Sequence, residues 1–274
     1  VLDFSSNINP LGPPKEVLKE LKKSVNQICF YPDTNSKLVK EAITWYLDCV
    51  NVSNVIVGGG STELIQLFTQ TFVKNGDECV ILEPTFSEYE ACIRKAGGKN
   101  NPVLLSQEED FSLKPDTILQ NVTSRTKVIF LCNPNNPTGK LIQKKDLVKV
   151  LDETLKAEIL VFLDESYIEF TTNGNLNSVS SLIEKYPNLF VLRSFTKAFG
   201  LAGLRIGYGL ACKDMIDILT KVKLPWNVNI LAQVAAITAL RCHKDYLEKT
   251  RKLIKREKDF LSKNLPKVKG FKVY

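Results

Sequence analysis

Residues 159–167 read Ile159-Leu160-Val161-Phe162-Leu163-Asp164-Glu165-Ser166-Tyr167, and this stretch decides the fold class. Its five leading apolar residues do not alternate with polar ones, which is typical of a strand buried on both faces of a parallel sheet. An acid at the end of such a strand is costly to bury unless a cation or hydrogen-bond donors meet it. Asp164 is therefore a candidate ligand-binding carboxylate, with a capping role in the following turn as the alternative.

Similar short apolar runs occur four more times along the chain. They lie at residues 54–57, 79–82, 128–131 and 189–192. Helical segments are predicted between them, near residues 61–73, 86–96, 115–121 and 143–156. This alternation predicts an α/β fold with a mostly parallel sheet flanked by helices, in which ligands bind beyond the carboxyl ends of the strands.

The composition argues against several classes of protein. Of the 274 residues, 44% are hydrophobic and 24% are charged, as in ordinary globular proteins. No run of about 18 apolar residues predicts a membrane span, and no secretory leader is recognisable. The seven cysteines are scattered and the chain has a single histidine, His243, which argues against disulfides and a metal site. We therefore expect a cytoplasmic protein with neither a metal centre nor a membrane partner.

The positive charge is concentrated near the C-terminal end. The net charge of the chain is +7, and residues 241–274 contain 12 basic and 4 acidic residues. Leu247, Ile254 and Leu261 recur there at helical spacing, without an aromatic-rich basic groove. This pattern favours an amphipathic helix with solvated lysines over a nucleic-acid surface, so we predict no nucleic-acid partner.

Two other strand ends carry residues suited to a phosphorylated ligand. Residues 58–62, Gly-Gly-Gly-Ser-Thr, follow a strand and open a helix, where free backbone N–H groups can bind a phosphate. A glycine turn with a serine cap is the alternative. Lys197 lies beyond the buried run at 189–192 and near Ser194 and Arg205, candidates for binding a phosphate, which predicts a lowered pKa and a role as Schiff-base nucleophile. A surface lysine is the alternative there.

The order of four motifs identifies the family that this chain resembles. The chain contains, in this order, Asn136-Pro137-Thr138-Gly139, Asp164-x-x-Tyr167, Ser194-x-Thr196-Lys197 and Gly203-Leu204-Arg205-Ile206-Gly207-Tyr208. This set resembles the fold-type-I pyridoxal-phosphate enzymes of the class I/II aminotransferase group, and the resemblance covers nearly the whole chain. It implies the fold of PLP-dependent transferases, with pyridoxal 5′-phosphate as the cofactor.

The resemblance also assigns roles to matching positions. Lys197, Asp164 and Tyr167 would be catalytic: Lys197 as the Schiff-base lysine and proton carrier, Asp164 on the pyridinium nitrogen and Tyr167 on the phenolic oxygen. Other residues would bind the phosphate, stack on the ring or bond its phenolic oxygen: Gly60, Ser61, Thr62, Ser194 and Arg205 on the phosphate, Phe86 on the ring face, and Asn136 on the oxygen. Asn7 and Asn136 would contact the substrate, a phosphorylated amino acid or amine.

The resemblance further implies an assembly and a division into domains. Tyr31 would reach the cofactor phosphate of a neighbouring subunit, which implies a homodimer. We predict an N-terminal arm and helix at 1–30, a large PLP-binding α/β domain at 31–225, and the start of a smaller C-terminal domain at 226–274. That last domain is expected to be incomplete in this chain.

Two groups within the family compete for the activity. Residues 2–12, 84–90 and 225–229 look like L-threonine-O-3-phosphate decarboxylase of cobalamin biosynthesis, whereas 164–170 and 197–204 are closer to histidinol-phosphate aminotransferase. The arm and the Pro-Trp segment are expected near the substrate, and the other two segments serve the cofactor. We therefore predict decarboxylation of O-phospho-L-threonine to aminopropanol phosphate, a lyase reaction. The alternative is a histidinol-phosphate or related class I/II aminotransferase.

Overall fold

The computed structural model of this protein describes residues 5–273, and a seven-stranded sheet forms its centre. The strands are β1 (Val55–Gly58), β2 (Glu78–Glu83), β3 (Lys99–Leu104), β4 (Thr126–Cys132), β5 (Leu160–Asp164), β6 (Leu189–Ser194) and β7 (Gly207–Leu210). Their order is β1-β7-β6-β5-β4-β2-β3, and only β7 runs antiparallel to its neighbours. The carboxyl ends of the other six strands therefore share one edge of the sheet, and the predicted fold class is confirmed.

Helices pack on both faces of this sheet. They are α1 (Lys15–Ser24), α2 (Lys37–Leu47), α3 (Ser61–Phe72), α4 (Glu88–Lys95), α5 (Pro115–Leu119), α6 (Lys144–Lys156), α7 (Lys213–Val222), α8 (Ile230–Arg241) and α9 (His243–Asn264). Among residues 5–273, no helix combines the length and the apolar character needed to cross a membrane.

The side chains of β5 explain why its sequence lacks an alternating pattern. Val161 and Leu163 pack into one hydrophobic cluster, and Phe162 points into the cluster on the opposite face. The Phe162 ring stacks on Phe190 of β6, with ring centroids 5.2 Å apart, and both rings contact Phe68 of α3. Since both faces of the strand are covered, apolar residues occupy it until the strand ends at Asp164.

Two strands, β3 and β7, are not predictable from apolar runs. β3 is an edge strand that pairs only with β2, and Val103 is its one fully buried residue. β7 is short and contains two glycines because space is scarce around it. A Cβ at Gly209 would lie 2.7 Å from Phe190 Cε2 and 3.1 Å from Ile56 Cγ2. Both strands lack a hydrophobic signature for reasons that only the packed sheet reveals.

The predicted division of the chain at residue 225 stays a prediction. Ala232, Ala235 and Ala236 of α8 belong to the same hydrophobic cluster as Val161 of the central sheet. Helix α8 is therefore packed as part of the main body. Residues 1–4 and 274, which belong to the predicted arm and C-terminal domain, lie outside the described residues.

A buried ionic cluster fixes the loop that follows β5. Arg193 of β6 is fully buried, and its guanidinium contacts Glu165 at 2.9 Å and Glu169 at 3.2 Å. Glu165 also accepts hydrogen bonds from Ser178 Oγ at 2.6 Å and from the Val179 N–H at 3.0 Å. Removing Arg193 would leave two buried carboxylates without their cation. The cluster therefore ties residues 165–179 to the strand that leads to Lys197.

The N-terminal arm is anchored through Asn9 to the backbone of the predicted catalytic lysine. The Asn9 N–H donates to the Lys197 carbonyl at 3.1 Å. Its side-chain amide lies 2.8 Å from the Ala198 carbonyl, 2.8 Å from Thr250 Oγ1 and 2.9 Å from the Tyr246 hydroxyl. The buried Asn9 side chain thus joins the N-terminal arm to α9 and to the loop after β6 that carries Lys197, called the lysine loop below.

Gly200 makes the close approach of the arm possible. Its φ of +66° lies in the left-handed region, and a Cβ there would lie 2.9 Å from the carbonyl carbon of Gly12. A side chain at position 200 would therefore push the arm away from the lysine loop, in addition to its backbone strain.

Replacing Asn9 with Leu is expected to lower the free energy of unfolding by about 1–3 kcal/mol, because buried polar groups lose their partners. Urea denaturation measures this change. Asn7→Leu is the matched control: Asn7 is exposed, and its side chain donates a single 3.5 Å hydrogen bond to the Tyr167 hydroxyl. Equal unfolding free energies for the two variants would contradict the anchoring role of Asn9.

Candidate active site

A cleft of about 280 Å³ opens at the carboxyl edge of the sheet. Nine of the predicted site residues line it: Asn7, Ser61, Thr62, Phe86, Asn136, Asp164, Tyr167, Lys197 and Arg205. Five further lining residues were not predicted: Ser5, Tyr89, Cys132, Ser166 and Thr196. The side chains come from segments more than 100 residues apart, and the common strand direction brings them together.

Asp164 lies at the floor of this cleft with only 4% of its surface exposed. Its Oδ1 accepts a hydrogen bond from the Ser166 N–H at 2.8 Å, and its Oδ2 accepts one from the Tyr89 hydroxyl at 2.7 Å. Burial raises the pKa of Asp164, while these donors and the charge of Lys197 act in the opposite direction. The carboxylate therefore caps its own turn and also faces the cleft, and its role in binding a ligand stays a prediction.

Tyr89 is the most informative residue that sequence reasoning missed. It lies on α4, is fully buried, and stacks on Phe130 of β4 with ring centroids 5.7 Å apart. A buried tyrosine hydroxyl needs a hydrogen-bond partner, and Asp164 is that partner. Its position three residues after Phe86, in a helix that follows a strand end, was the available signal.

Lys197 reaches the cleft from the loop after β6. Its Nζ lies 5.9 Å from the centre of the Tyr167 ring. Burial lowers the pKa of Lys197; the Asp164 carboxylate opposes this shift and the Arg205 guanidinium adds to it. Lys197 is half-buried and lines the cleft, which favours the functional interpretation over a surface lysine, and its role as a Schiff-base nucleophile stays a prediction. A larger neutral fraction of this amine makes it a better nucleophile and base.

The glycine turn after β1 forms one wall of an anion cradle. Gly60 has a φ of +99°, and a Cβ there would collide with the Arg205 guanidinium, whose Cζ would be 3.0 Å away. On the other side, a Cβ at Gly207 would lie 2.9 Å from the Ser61 backbone nitrogen. Because Gly60 and Gly207 have no side chains, the Arg205 guanidinium can approach the free N–H groups at the start of α3. This arrangement suits a phosphate and favours the functional interpretation of residues 58–62.

The Pro-Trp segment at 225–229 supports this cradle. Asn227 Nδ2 donates to Glu63 Oε1 at 2.9 Å, and the other carboxylate oxygen of Glu63 accepts from the Gly59 N–H. Lys223 Nζ donates to Asn227 Oδ1 at 2.8 Å. Asn227 therefore holds the turn that forms the cradle, and the expectation that this segment lies near the substrate stays a prediction.

Besides Gly60 of the adjoining glycine turn, two predicted contact residues are not part of the cleft lining. Ser194 is buried, and its Oγ accepts a hydrogen bond from the Thr196 N–H at 3.1 Å. Thr196, and not Ser194, lines the cleft. Tyr31 is 81% exposed, and its ring lies against Trp226 with centroids 4.9 Å apart. Their predicted roles remain predictions.

Together, the buried carboxylate, the lysine and the anion cradle fit pyridoxal 5′-phosphate, with Phe86 on the cleft wall beside them.

This chain is similar in sequence and in fold to several histidinol-phosphate aminotransferases. A histidinol-phosphate aminotransferase of Methanocaldococcus jannaschii is 38% identical over 275 residues, covering 100% of this chain and 72% of that protein. The crystal structure of the histidinol-phosphate aminotransferase from Clostridium acetobutylicum has a TM-score of 0.88 at 31% identity, covering 98% and 78%. The histidinol-phosphate aminotransferase from Sinorhizobium meliloti, in complex with pyridoxal-5′-phosphate, has a TM-score of 0.88 at 25% identity, covering 96% and 70%.

These relatives overturn the predicted decarboxylase. Their names support the aminotransferase alternative instead of decarboxylation of O-phospho-L-threonine. The prediction gave most weight to the arm and to the Pro-Trp segment, yet Asn9 holds the lysine loop and Asn227 holds the cradle. The model of the family "Aminotransferase class I and II" matches residues 1–274. This chain therefore belongs to the class I and II aminotransferase family, and its cofactor is pyridoxal 5′-phosphate.

Proposed function

We propose that this protein transfers an amino group from histidinol phosphate to a 2-oxo acid. The observation that carries the proposal is its similarity, over its whole length, to histidinol-phosphate aminotransferases. The cleft supports it, because the lysine, the carboxylate and the anion cradle of a transaminating enzyme all face one cavity of about 280 Å³.

Bound pyridoxal phosphate supplies a carbonyl that captures the substrate amine and a ring that withdraws electrons from the substrate Cα. Lys197 has the position and the lowered pKa to take the Cα proton and return it at another atom. We propose that the cleft would present the Cα–H bond of the substrate to Lys197, so that proton transfer would follow and not the loss of another group.

Asp164 has to remain ionised to pair with a protonated ring nitrogen. Burial alone would favour its neutral form, so the donors around it determine its charge. Ser166 and Tyr89 each bond one carboxylate oxygen. We infer that each oxygen keeps acceptor capacity for the ring nitrogen.

Arg205 and the first turn of α3 are proposed to hold the cofactor phosphate. The guanidinium can supply two parallel hydrogen bonds, and the helix dipole favours negative charge at this end. Tyr167 and Asn136, which share the same wall, are proposed to bond the phenolic oxygen of the ring. Phe86 lines the cleft and is proposed to cover the ring face.

The decisive assay incubates the PLP-loaded protein with histidinol phosphate and 2-oxoglutarate and measures glutamate. We expect turnover in the wild type and a loss of about 10²–10⁴-fold in Lys197→Ala, which lacks the proton carrier. Lys145→Ala, at an exposed position in the first turn of α6, is the control and should retain activity. Turnover of other amine donors without any glutamate from histidinol phosphate would refute the proposed substrate.

A second copy of the chain is the proposed partner. Large apolar side chains around Tyr31 are exposed: Ile28 by 65%, Phe30 by 68%, Leu224 by 72% and Trp226 by 50%. Exposed apolar side chains grouped in this way are typical of an interface. We propose that a homodimer covers them and that Tyr31 reaches the cofactor phosphate in the neighbouring subunit.

Phe30→Glu is expected to convert the dimer to a monomer, because it places a charge within the proposed interface. Sedimentation velocity measures the change. Leu104→Glu is the control: Leu104 is 75% exposed, but it lies on the edge strand β3, away from this surface. A dimer that survives Phe30→Glu, or that Leu104→Glu dissociates equally, would contradict the proposed interface.

Tyr89→Phe isolates the hydrogen bond to Asp164 and keeps the ring packing. Removing the donor raises the pKa of Asp164 further, so activity that requires its ionised form is lost at a higher pH. We expect the acidic limb of the kcat/KM profile to move up by about one pH unit, which corresponds to one hydrogen bond.

Tyr186→Phe is the matched control for this experiment. Tyr186 is also buried, and its hydroxyl donates to a carboxylate, Asp152, at the same 2.7 Å distance, but outside the cleft. Its pH profile should match the wild type. An unchanged profile in Tyr89→Phe would show that Ser166 and Lys197 suffice to keep Asp164 ionised.

A further inference from the structure

A second groove of about 400 Å³ adjoins the cofactor cleft, and the mechanism proposed above leaves it without a role. The two cavities share Asn7, Asn136 and Tyr167 as lining residues. A molecule that reacts at Lys197 can therefore extend into this groove past the three shared residues.

Two kinds of side chain form the rest of the groove. Pro134, Pro137, Phe170 and Ile254 supply apolar surface, and Lys258 carries the only charge among the described lining residues. An apolar wall next to a single cation suits a molecule with a flat ring and one anionic group.

Helix α9 places Lys258 beside the loops that follow β4 and β5. Leu247, Arg251, Ile254 and Lys258 follow one another at spacings of four, three and four, so they share one helical face. Leu247 is 3% exposed, and Arg251 donates to the Glu169 carbonyl at 3.3 Å, so the first half of this face packs against the rest of the protein. Further along the helix, Lys258 is exposed and lines the groove.

Lys258 is also available to an external anion. Its neighbours on α9 are paired: Lys252 with Glu248 at 2.6 Å and Lys255 with Asp259 at 3.8 Å. Lys258 forms no ion pair with any residue between 5 and 273. A charge-assisted bond to a phosphate would therefore not have to displace an existing carboxylate.

We propose that this groove is the substrate's specificity pocket: Lys258 binds the phosphate of the amine substrate, and the proline-phenylalanine wall packs against its heteroaromatic ring. This inference rests on the proposed function, because histidinol phosphate combines an amine, an imidazole ring and a phosphate. The pocket selects for the side chain of the substrate, whereas the cofactor cleft performs the reaction.

The test measures KM and kcat of the PLP-loaded full chain for histidinol phosphate at saturating 2-oxoglutarate. Lys258→Gln should raise KM by about tenfold, the effect of losing one charge-assisted hydrogen bond, and change kcat less than about twofold. Lys258→Arg keeps the charge and should restore most of the affinity. The KM for 2-oxoglutarate should not change in either variant.

Lys255→Gln is the matched control, since it removes the same charge one turn away and does not line this groove. An equal rise of KM in Lys255→Gln, or no rise in Lys258→Gln, would overturn the pocket and leave the proposed function intact. A wild-type enzyme that transaminates glutamate but not histidinol phosphate would overturn the proposed function, and the pocket with it.

Discussion

The carboxylate of Asp164, at the end of the most deeply buried strand, is the constraint on which the rest of the site depends. A charge in that position is unfavourable unless donors surround it, and the structure supplies the Tyr89 hydroxyl, the Ser166 N–H and the nearby ammonium of Lys197. Each donor comes from a different segment. The Asp164 carboxylate therefore connects α4, the loop after β5 and the loop after β6.

The lysine loop is held in place from outside the cleft as well. Asn9 of the arm bonds the Lys197 carbonyl and joins it to α9, while Gly200 leaves room for the arm to approach. On the opposite side, the buried Arg193 contacts Glu165 and Glu169 and holds the loop that carries Tyr167. The Lys197 amine thus projects from a backbone that neighbouring segments hold on two sides.

Segments that resemble a decarboxylase proved to be scaffold elements, and this explains the wrong prediction. Asn9 in the arm and Asn227 in the Pro-Trp segment bond the lysine loop and the anion cradle, two features that every reaction of this cofactor needs. The presence of such residues in a sequence predicts the fold and the cofactor, and it does not predict the substrate. Discrimination between substrates depends on groove residues such as Phe170 and Lys258, which lie 88 positions apart and share no sequence motif.

The amino-acid sequence by itself determined the central strands, the carboxylate, the lysine and the glycine turn, because a continuous apolar run that ends in polar residues is typical of a buried strand whose end faces a ligand. It did not reveal β3 and β7, whose residues are dictated by an edge position and by crowding against Phe190. Only the tertiary structure decided that Tyr89 bonds Asp164, that Asn9 anchors the arm and that Lys258 faces a groove next to the cleft. The reason is physical: these contacts join residues from distant parts of the chain, and no local pattern records which of them will meet.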